Sequence, residues 1–302
     1  MDRSLLPHLP AVLAVARTRS FARAAAELGM GASAVSHAVR TVEDRLGEPL
    51  FARTTRSVAL TEVGAEFVGR VGQAFEEMGA AVERVSARRG EVTGLLRINA
   101  PRIAGPLALT AILKEMAARH PRLTVEVASD DSLADVVGQG FDAGVRLGEM
   151  VAEDMVAVRL TPPVRAMLAA APAYIAAHGA PESVAELARH NCIGYRFLTS
   201  GGAYLWDLLD EAGRDVAVAV SGTAVVTDAT YARDLALAGI GVLYSFEPLI
   251  RADLAAGALV PLLPRAAIWE SGLFAYFPRR AQRAAKLRAF IDAARIVASR
   301  AA

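Results

Sequence analysis

Ser33, His37 and Arg40 recur at intervals of four and three residues, with Ser36 and Thr41 beside them. That spacing gathers hydrogen-bonding side chains on one face of a helix. Val35, Val39, Val42 and Leu46 recur at four, three and four on the opposite face and are expected to pack inward. An outer face of short polar groups and one arginine suits the major groove of double-stranded DNA. There Arg can bind guanine through two hydrogen bonds, and Ser, His or Thr can reach base edges or phosphates, a good bidentate pair discriminating by about 1–3 kcal/mol. The same face could simply be solvated, so the neighbouring segment decides.

Ser20 can cap a helix whose inward positions Phe21, Ala24, Ala25 and Leu28 include residues small enough for two helices to cross closely. Gly29-Met30-Gly31 fits the short glycine-containing joint of a helix-turn-helix. Gly47 is a natural stop for the second helix. Pro49-Leu50-Phe51 and a return carrying Arg53, Thr55 and Arg56 follow, well suited to grip the sugar-phosphate backbone. The candidate DNA contacts are therefore Ser33, Ser36, His37, Arg40, Arg53, Thr55 and Arg56.

The segments SFARAAAEL, AVSHAVRTVEDRLGEPLFAR and TRSVALTEVG together resemble the N-terminal region of LysR-type transcriptional regulators. The resemblance implies that residues 33–46 form the recognition helix and 53–60 a wing between two short strands. His37 departs from the family, which more often has Arg or Gln there. Pro10 falls inside the expected first helix. A start near Pro7 would place both prolines in the first turn, where a missing N–H costs little.

With 302 residues, 54% hydrophobic and 22% charged, the chain has the profile of a globular protein with more than one domain. No apolar run reaches the roughly 20 residues of a spanning helix, so no membrane partner is expected. LLPHLPAVLAVART imitates a signal-peptide core, but His8 interrupts it, Asp2 spoils a basic leader, and the first helix needs these residues. A cytoplasmic location follows, and Cys192, the single cysteine, fits it as a buried structural thiol. Formal charge is only +1, so DNA binding must depend on where the arginines point.

Residues 62–89 read as one long helix with Phe67, Val71, Phe75, Met78, Val82 and Val85 along a coiled-coil-like seam. Pairing with a second copy would cover that seam and set two reading heads on one duplex. A polar hinge at 88–94 then leads into alternating strands and helices. Strands are expected at 95–100, 123–128, 143–147, 164–170, 192–197, 216–220, 241–244 and 273–277. Helices are expected at 106–119, 132–138, 173–178, 183–190, 228–238, 248–256 and 281–299. The βαβαβ opening predicts a parallel sheet with ligands at the carboxyl ends of its strands.

RINAPRIAG, GFDAGVRLGEM, CIGYRFLTSGGAYLWDL and LFAYFPRRAQRAAKLRAFIDAAR extend the resemblance to the LysR-type effector domain, similar to periplasmic binding proteins. The fold class is then mixed: an all-α winged helix-turn-helix domain (1–61), a linker and dimerisation helix with hinge (62–93), and a two-lobed α/β effector domain (94–302). Lobe one would be 94–160 with 268–302, and lobe two 161–267. Candidate effector-binding residues are Pro101, Arg102, Ser129, Asp130, Arg146, Tyr195, Phe197, Thr199, Ser200, Thr227 and Phe246. The arginines offer planar donors to a carboxylate and the rings an apolar wall. The expected effector is a small organic anion, aromatic or amino-acid-like. The resemblance implies double-stranded DNA as partner, a homodimer or homotetramer, and RNA polymerase as a further candidate.

A solute-binding or enzymatic α/β domain fused to a DNA-binding head is the competing reading. His8, His37, His120, His178 and His190 lack metal-ligand spacing, and no G-x-S-x-G, P-loop, H-E-x-x-H or dinucleotide fingerprint occurs. No catalytic residue, metal or cofactor is expected.

Overall fold

The computed structural model describes residues 3–53, 58–87, 91–131, 140–148 and 155–301. Contacts divide the chain into two compact units, Met1–Glu91 with Val137–Gly140, and Val92–Val136 with Phe141–Ala302.

In the first unit a 3₁₀ turn, Arg3–His8, precedes α1 (Leu9–Thr18), α2 (Phe21–Leu28) and α3 (Ala32–Leu46). Pro10 sits in the first turn of α1, where no helical N–H is lost. Ser20 caps α2 by accepting from the Arg23 amide at 3.3 Å. Gly47 ends α3 at φ +73°, a left-handed conformation that favours glycine. Strands β1 (Phe51–Arg53) and β2 (Val58–Leu60) form an antiparallel ribbon, and α4 (Glu62–Ala87) follows. Gly64 lets α4 meet the ribbon, because a Cβ there would lie 2.0 Å from the Leu50 carbonyl oxygen.

Val12, Val15, Ala24, Val35, Val39, Val42 and Leu50 are fully buried and form the core of this unit. Leu46, expected on the inward stripe, is 37% exposed, since the stripe runs past the edge of the small bundle. The seam of α4 also differs from expectation. Phe67, Val71 and Phe75 pack against the core of their own unit, while Met78 stays 52% exposed. The side chains of Val82 and Val85 lie outside the described residues.

The second unit begins with β3 (Gly94–Ala100), a π-helical turn at Gly105–Leu109, α5 (Thr110–Arg119), β4 (Leu123–Ser129), β5 (Ala143–Leu147) and β6 (Met155–Arg159). The helix expected at 132–138 lies outside the described residues. β7 (Val164–Ala170), α6 (Pro172–His178), a 3₁₀ turn at Ala185–Arg189, β8 (Gly194–Tyr195), β9 (Trp206–Leu209), β10 (Asp215–Val218) and β11 (Val225–Val226) come next. α7 (Ala229–Leu237), β12 (Leu243–Phe246), α8 (Glu247–Ala255), β13 (Val260–Leu262), β14 (Ile268–Glu270), β15 (Leu273–Pro278) and α9 (Ala285–Ala301) complete it.

One sheet has the order β4-β3-β5-β15-β6. Its first three strands are parallel, as the βαβαβ pattern predicts, but β15 runs antiparallel to both β5 and β6, so the sheet is mixed. β6 leaves the sheet and β15 returns beside it, which forces opposite directions. Leu160 N donates to Leu273 O at 2.8 Å and Leu273 N to Thr161 Oγ1 at 2.9 Å, joining the two crossings. Ile112 and Met116 of α5 and Leu287 and Phe290 of α9 close the core on this sheet.

β7 is the centre of the other large sheet, antiparallel to β12 on one side and to β13 and β14 on the other. Its side chains alternate between two cores. Met167 and Ala169 join Ala236 and Ile250 of α7 and α8, and Leu168 and Ala170 join Tyr174, Trp206 and Leu208. Burial on both faces explains why VRAMLAA has no polar alternation. At the expected 192–197 the strand proper is Gly194–Tyr195, parallel to β11, with single bridges from Cys192 to Val242 and from Arg196 to Ala203 on either side. The expected strand at 216–220 is instead Asp215–Val218, in a hairpin with β9.

Candidate functional site

On α3 the buried stripe Val35, Ala38, Val39 and Val42 leaves Ser33, His37 and Arg40 exposed and Ser36 half-buried. Four of the seven candidate DNA contacts therefore share one helix. Glu43 joins α3 to the ribbon, its Oε1 accepting from Leu50 N at 2.9 Å and Phe51 N at 3.1 Å. Arg53 ends β1, but its side chain, with Thr55 and Arg56, lies outside the described residues.

In the second unit the carboxyl ends of β3 and β5 face segments of residues 193–249 across a cavity of about 280 Å³. Pro101, Ile103, Asp131, Arg146 and Leu147 form one side, and Tyr195, Phe197, Tyr204, Trp206, Tyr244 and Phe246 dominate the other. The rings form a packed series. Tyr195 meets Phe197 and Phe197 meets Tyr204 edge to face, each at 5.7 Å, and Trp206 stacks on Tyr244 at 5.7 Å. Burial is the main reason that the Tyr195 and Tyr244 hydroxyls are each pushed up to about 12. The Tyr204 hydroxyl lies 2.7 Å from Asp207 Oδ2 and 3.4 Å from the Tyr244 hydroxyl, and burial drives it well above the usual tyrosine range.

Arg146 is half-buried, donating to Asn99 Oδ1 and to Val145 O, both at 2.6 Å. Burial pulls its guanidinium below the usual arginine range, against the opposing pull of Asp130 and Asp131. The cation is thus held at a solvation cost that an incoming anion would offset.

Of the eleven candidate effector residues, Pro101, Arg146, Tyr195, Phe197 and Phe246 come together in the cavity wall. Arg102, Ser129, Asp130, Thr199, Ser200 and Thr227 are outside it. Arg102 is turned to acidic partners, 3.0 Å from Asp131 Oδ2 and 3.6 Å from Asp228 Oδ2. Ser129 and Asp130 are exposed at the end of β4, and Thr199 and Ser200 occupy an exposed turn.

Residues absent from the candidate set also form the wall. Leu147, Tyr244 and Ser245 belong to strand ends that the sequence identifies. Trp206 enters on β9 and Tyr204 just before it, where the signal is the alternation of Tyr204, Trp206 and Leu208. Ala229, Ala232 and Leu249 come from helices, where nothing local marks a cavity wall.

Among the described residues no three His, Cys, Asp or Glu are grouped to hold a metal ion, and no helix is long and apolar enough to cross a membrane. Cys192 is buried, with its thiol pushed up to about 11 by burial.

The family model described as the LysR substrate binding domain matches residues 89–299. That of the bacterial regulatory helix-turn-helix protein, lysR family, matches residues 6–65. The chain is 38% identical over 279 residues to the uncharacterized HTH-type transcriptional regulator YcaN of Escherichia coli (strain K12), covering 92% of this chain and 91% of that protein. It is 32% identical over 292 residues to the HTH-type transcriptional regulator PgrR of the same strain, covering 97% of each. Among solved structures, CrgA, a LysR-type transcriptional regulator from Neisseria meningitidis, aligns with a TM-score of 0.61 and 28% identity, covering 96% of this chain and 98% of that one.

Proposed function

This chain belongs to the LysR-type transcriptional regulators, and from that premise we propose that a small aromatic carboxylate, bound in the cavity of the second unit, controls how its reading heads sit on DNA. It is a DNA-binding regulator with a helix-turn-helix and an effector-binding domain. The observation that carries the effector class is the division of one cavity between a ring-lined wall and a wall holding the half-buried Arg146. Rings bury the flat apolar body, while a guanidinium whose solvation is already partly lost favours a carboxylate.

In this reading residues 1–61 are the reading head, 62–93 the linker and hinge, and 94–302 the effector domain, with lobes 94–160 plus 268–302 and 161–267. Ser33, Ser36, His37 and Arg40 reach into the groove, and Arg53, Thr55 and Arg56 hold the phosphate backbone. The protein acts in the cytoplasm as a homodimer or homotetramer and has no catalytic activity. An effector can shift the heads only as far as it binds one arrangement better, typically by about 1–3 kcal/mol.

The test is a thermal-shift screen of the full chain with aromatic carboxylic acids, their amides and aliphatic acids of similar size. Stabilisation by aromatic acids alone is expected, and it should vanish in Arg146→Met. Equal stabilisation by the amides would remove Arg146 from the site, and stabilisation by aliphatic acids alone would remove the ring wall.

A further inference from the structure

Thr41 Oγ1 lies 2.9 Å from the backbone oxygen of His37 and 3.0 Å from His37 Nδ1. A carbonyl oxygen can only accept, so the single proton of the hydroxyl is committed to it and Oγ1 is left as an acceptor. His37 Nδ1 must then be the donor. In the neutral ring the proton sits on Nδ1, and Nε2 carries a bare lone pair at the far edge of an exposed side chain.

We infer that His37 is a specificity-determining residue that accepts, through Nε2, a hydrogen bond from an exocyclic amino group in the major groove, and so selects adenine or cytosine and disfavours guanine. The inference rests on the reading of α3 as the helix that enters the groove. Adenine presents its N6 amino group there and cytosine its N4 amino group, whereas guanine offers only the acceptors N7 and O6. With the other tautomer the same ring would donate and would be met by the acceptors of guanine, by adenine N7 or by thymine O4, and no longer by the cytosine amino group. Thr41 is thus a positioning residue that sets which bases His37 reads. Arg40, exposed three residues on, has only donors and suits guanine. One face therefore offers a donor fork and an acceptor side by side.

The test uses ¹⁵N-histidine-labelled full-length protein, as the wild type and as His37→Ala, Thr41→Ser and Thr41→Val. Long-range ¹H–¹⁵N correlation is recorded at about pH 8.5, above the ordinary imidazole range. His37, identified by its loss in His37→Ala, should show the Nδ1–H tautomer in the wild type and Thr41→Ser, and a mixture of tautomers in Thr41→Val. An Nε2–H ring in the wild type overturns the inference.

The same proteins then select sites from a randomised duplex pool. Wild type and Thr41→Ser should prefer adenine or cytosine at one position, a preference lost in His37→Ala. In Thr41→Val it should weaken about three- to tenfold in competition with the guanine duplex, the scale of one neutral hydrogen bond. Guanine at that position, or unchanged sites in His37→Ala, also overturns the inference. Arg40→Ala separates that failure from failure of the groove reading. A changed site in Arg40→Ala keeps α3 in the groove, and sites unchanged in both variants remove it.

Discussion

The wall built from the ends of β3, β4 and β5 and the wall built from residues 193–249 enclose one space with opposite chemistry. The first carries Arg146 and Asp131, each already bound to protein: Arg146 to Asn99 Oδ1 and Val145 O, Asp131 to Arg102. The second carries six aromatic rings, one of which, Trp206, is 1% exposed. The charged wall is thus a set of prepositioned hydrogen bonds on a sheet edge, whereas the ring wall is continuous with a hydrophobic core. Changes to the first should act mainly on ligand binding, and changes to the second on folding as well.

The strongest break of that contrast is Trp206→Ala. Removing a buried tryptophan that stacks on Tyr244 should cost about 3–5 kcal/mol of stability, read from chemical unfolding followed by circular dichroism. A loss below about 1 kcal/mol would show that the ring wall is a ligand surface and not core. Arg146→Met comes next, and here the expected effect is on the ligand. Affinity for an aromatic acid found in the screen should fall about 10- to 100-fold, the scale of a charge-assisted hydrogen bond, as measured by titration calorimetry. The buried Asn99 side chain loses a donor but the site also loses a desolvated charge, so little net change in stability is expected.

How much of this was legible in the sequence depended on whether the signal is local. The reading head follows from local rules: Ser20 caps α2, Gly47 stops α3, and the valine stripe is buried as its period predicts. Its exceptions are set by neighbours far along the chain. Leu46 extends beyond the bundle it would pack on, and Phe67, Val71 and Phe75 turn to the head's own core and not solely to a partner. In the second unit the strand ends were legible, and so Pro101, Arg146, Tyr195, Phe197 and Phe246 could be placed together. The direction of β15 was not, because pairing with strands over a hundred residues away leaves no local period, whereas β9, in a hairpin with β10, does carry a local alternation at Tyr204, Trp206 and Leu208. Arg102 shows the same limit, since an arginine at a strand end reads as a ligand donor until Asp131 and Asp228 are seen beside it.

Alkaline unfolding sharpens the contrast further. Tyr195 and Tyr244, each pushed up to about 12 chiefly by burial, stay neutral in the folded state where an unfolded tyrosine ionises near 10. The folded state then holds more protons, so stability is fully present below about pH 10 and is lost as pH rises toward 12. The urea midpoint should fall between about pH 10 and 12, and Tyr244→Phe should flatten that fall. An unchanged slope in Tyr244→Phe would mean that its hydroxyl is solvated and that the ring wall is not continuous with the core at that point.

Arg102→Gln should have the smallest effect, and it separates two arginines that the sequence treats alike. Arg102 is outside the cavity wall, its guanidinium shared between Asp131 and Asp228 at 40% side-chain exposure, where an ion pair is worth about 0–1 kcal/mol. Asp131 keeps its place through the Arg102 backbone amide, which donates to Oδ1 at 3.0 Å and survives the substitution. Affinity for the aromatic acid should therefore stay within about threefold of the wild type, below the change expected for Arg146→Met by a factor of several. An equal loss in both variants would place the carboxylate between the two guanidiniums. The Arg102–Asp131 pair would then have to open as the ligand enters, and the charged wall would no longer be prepositioned.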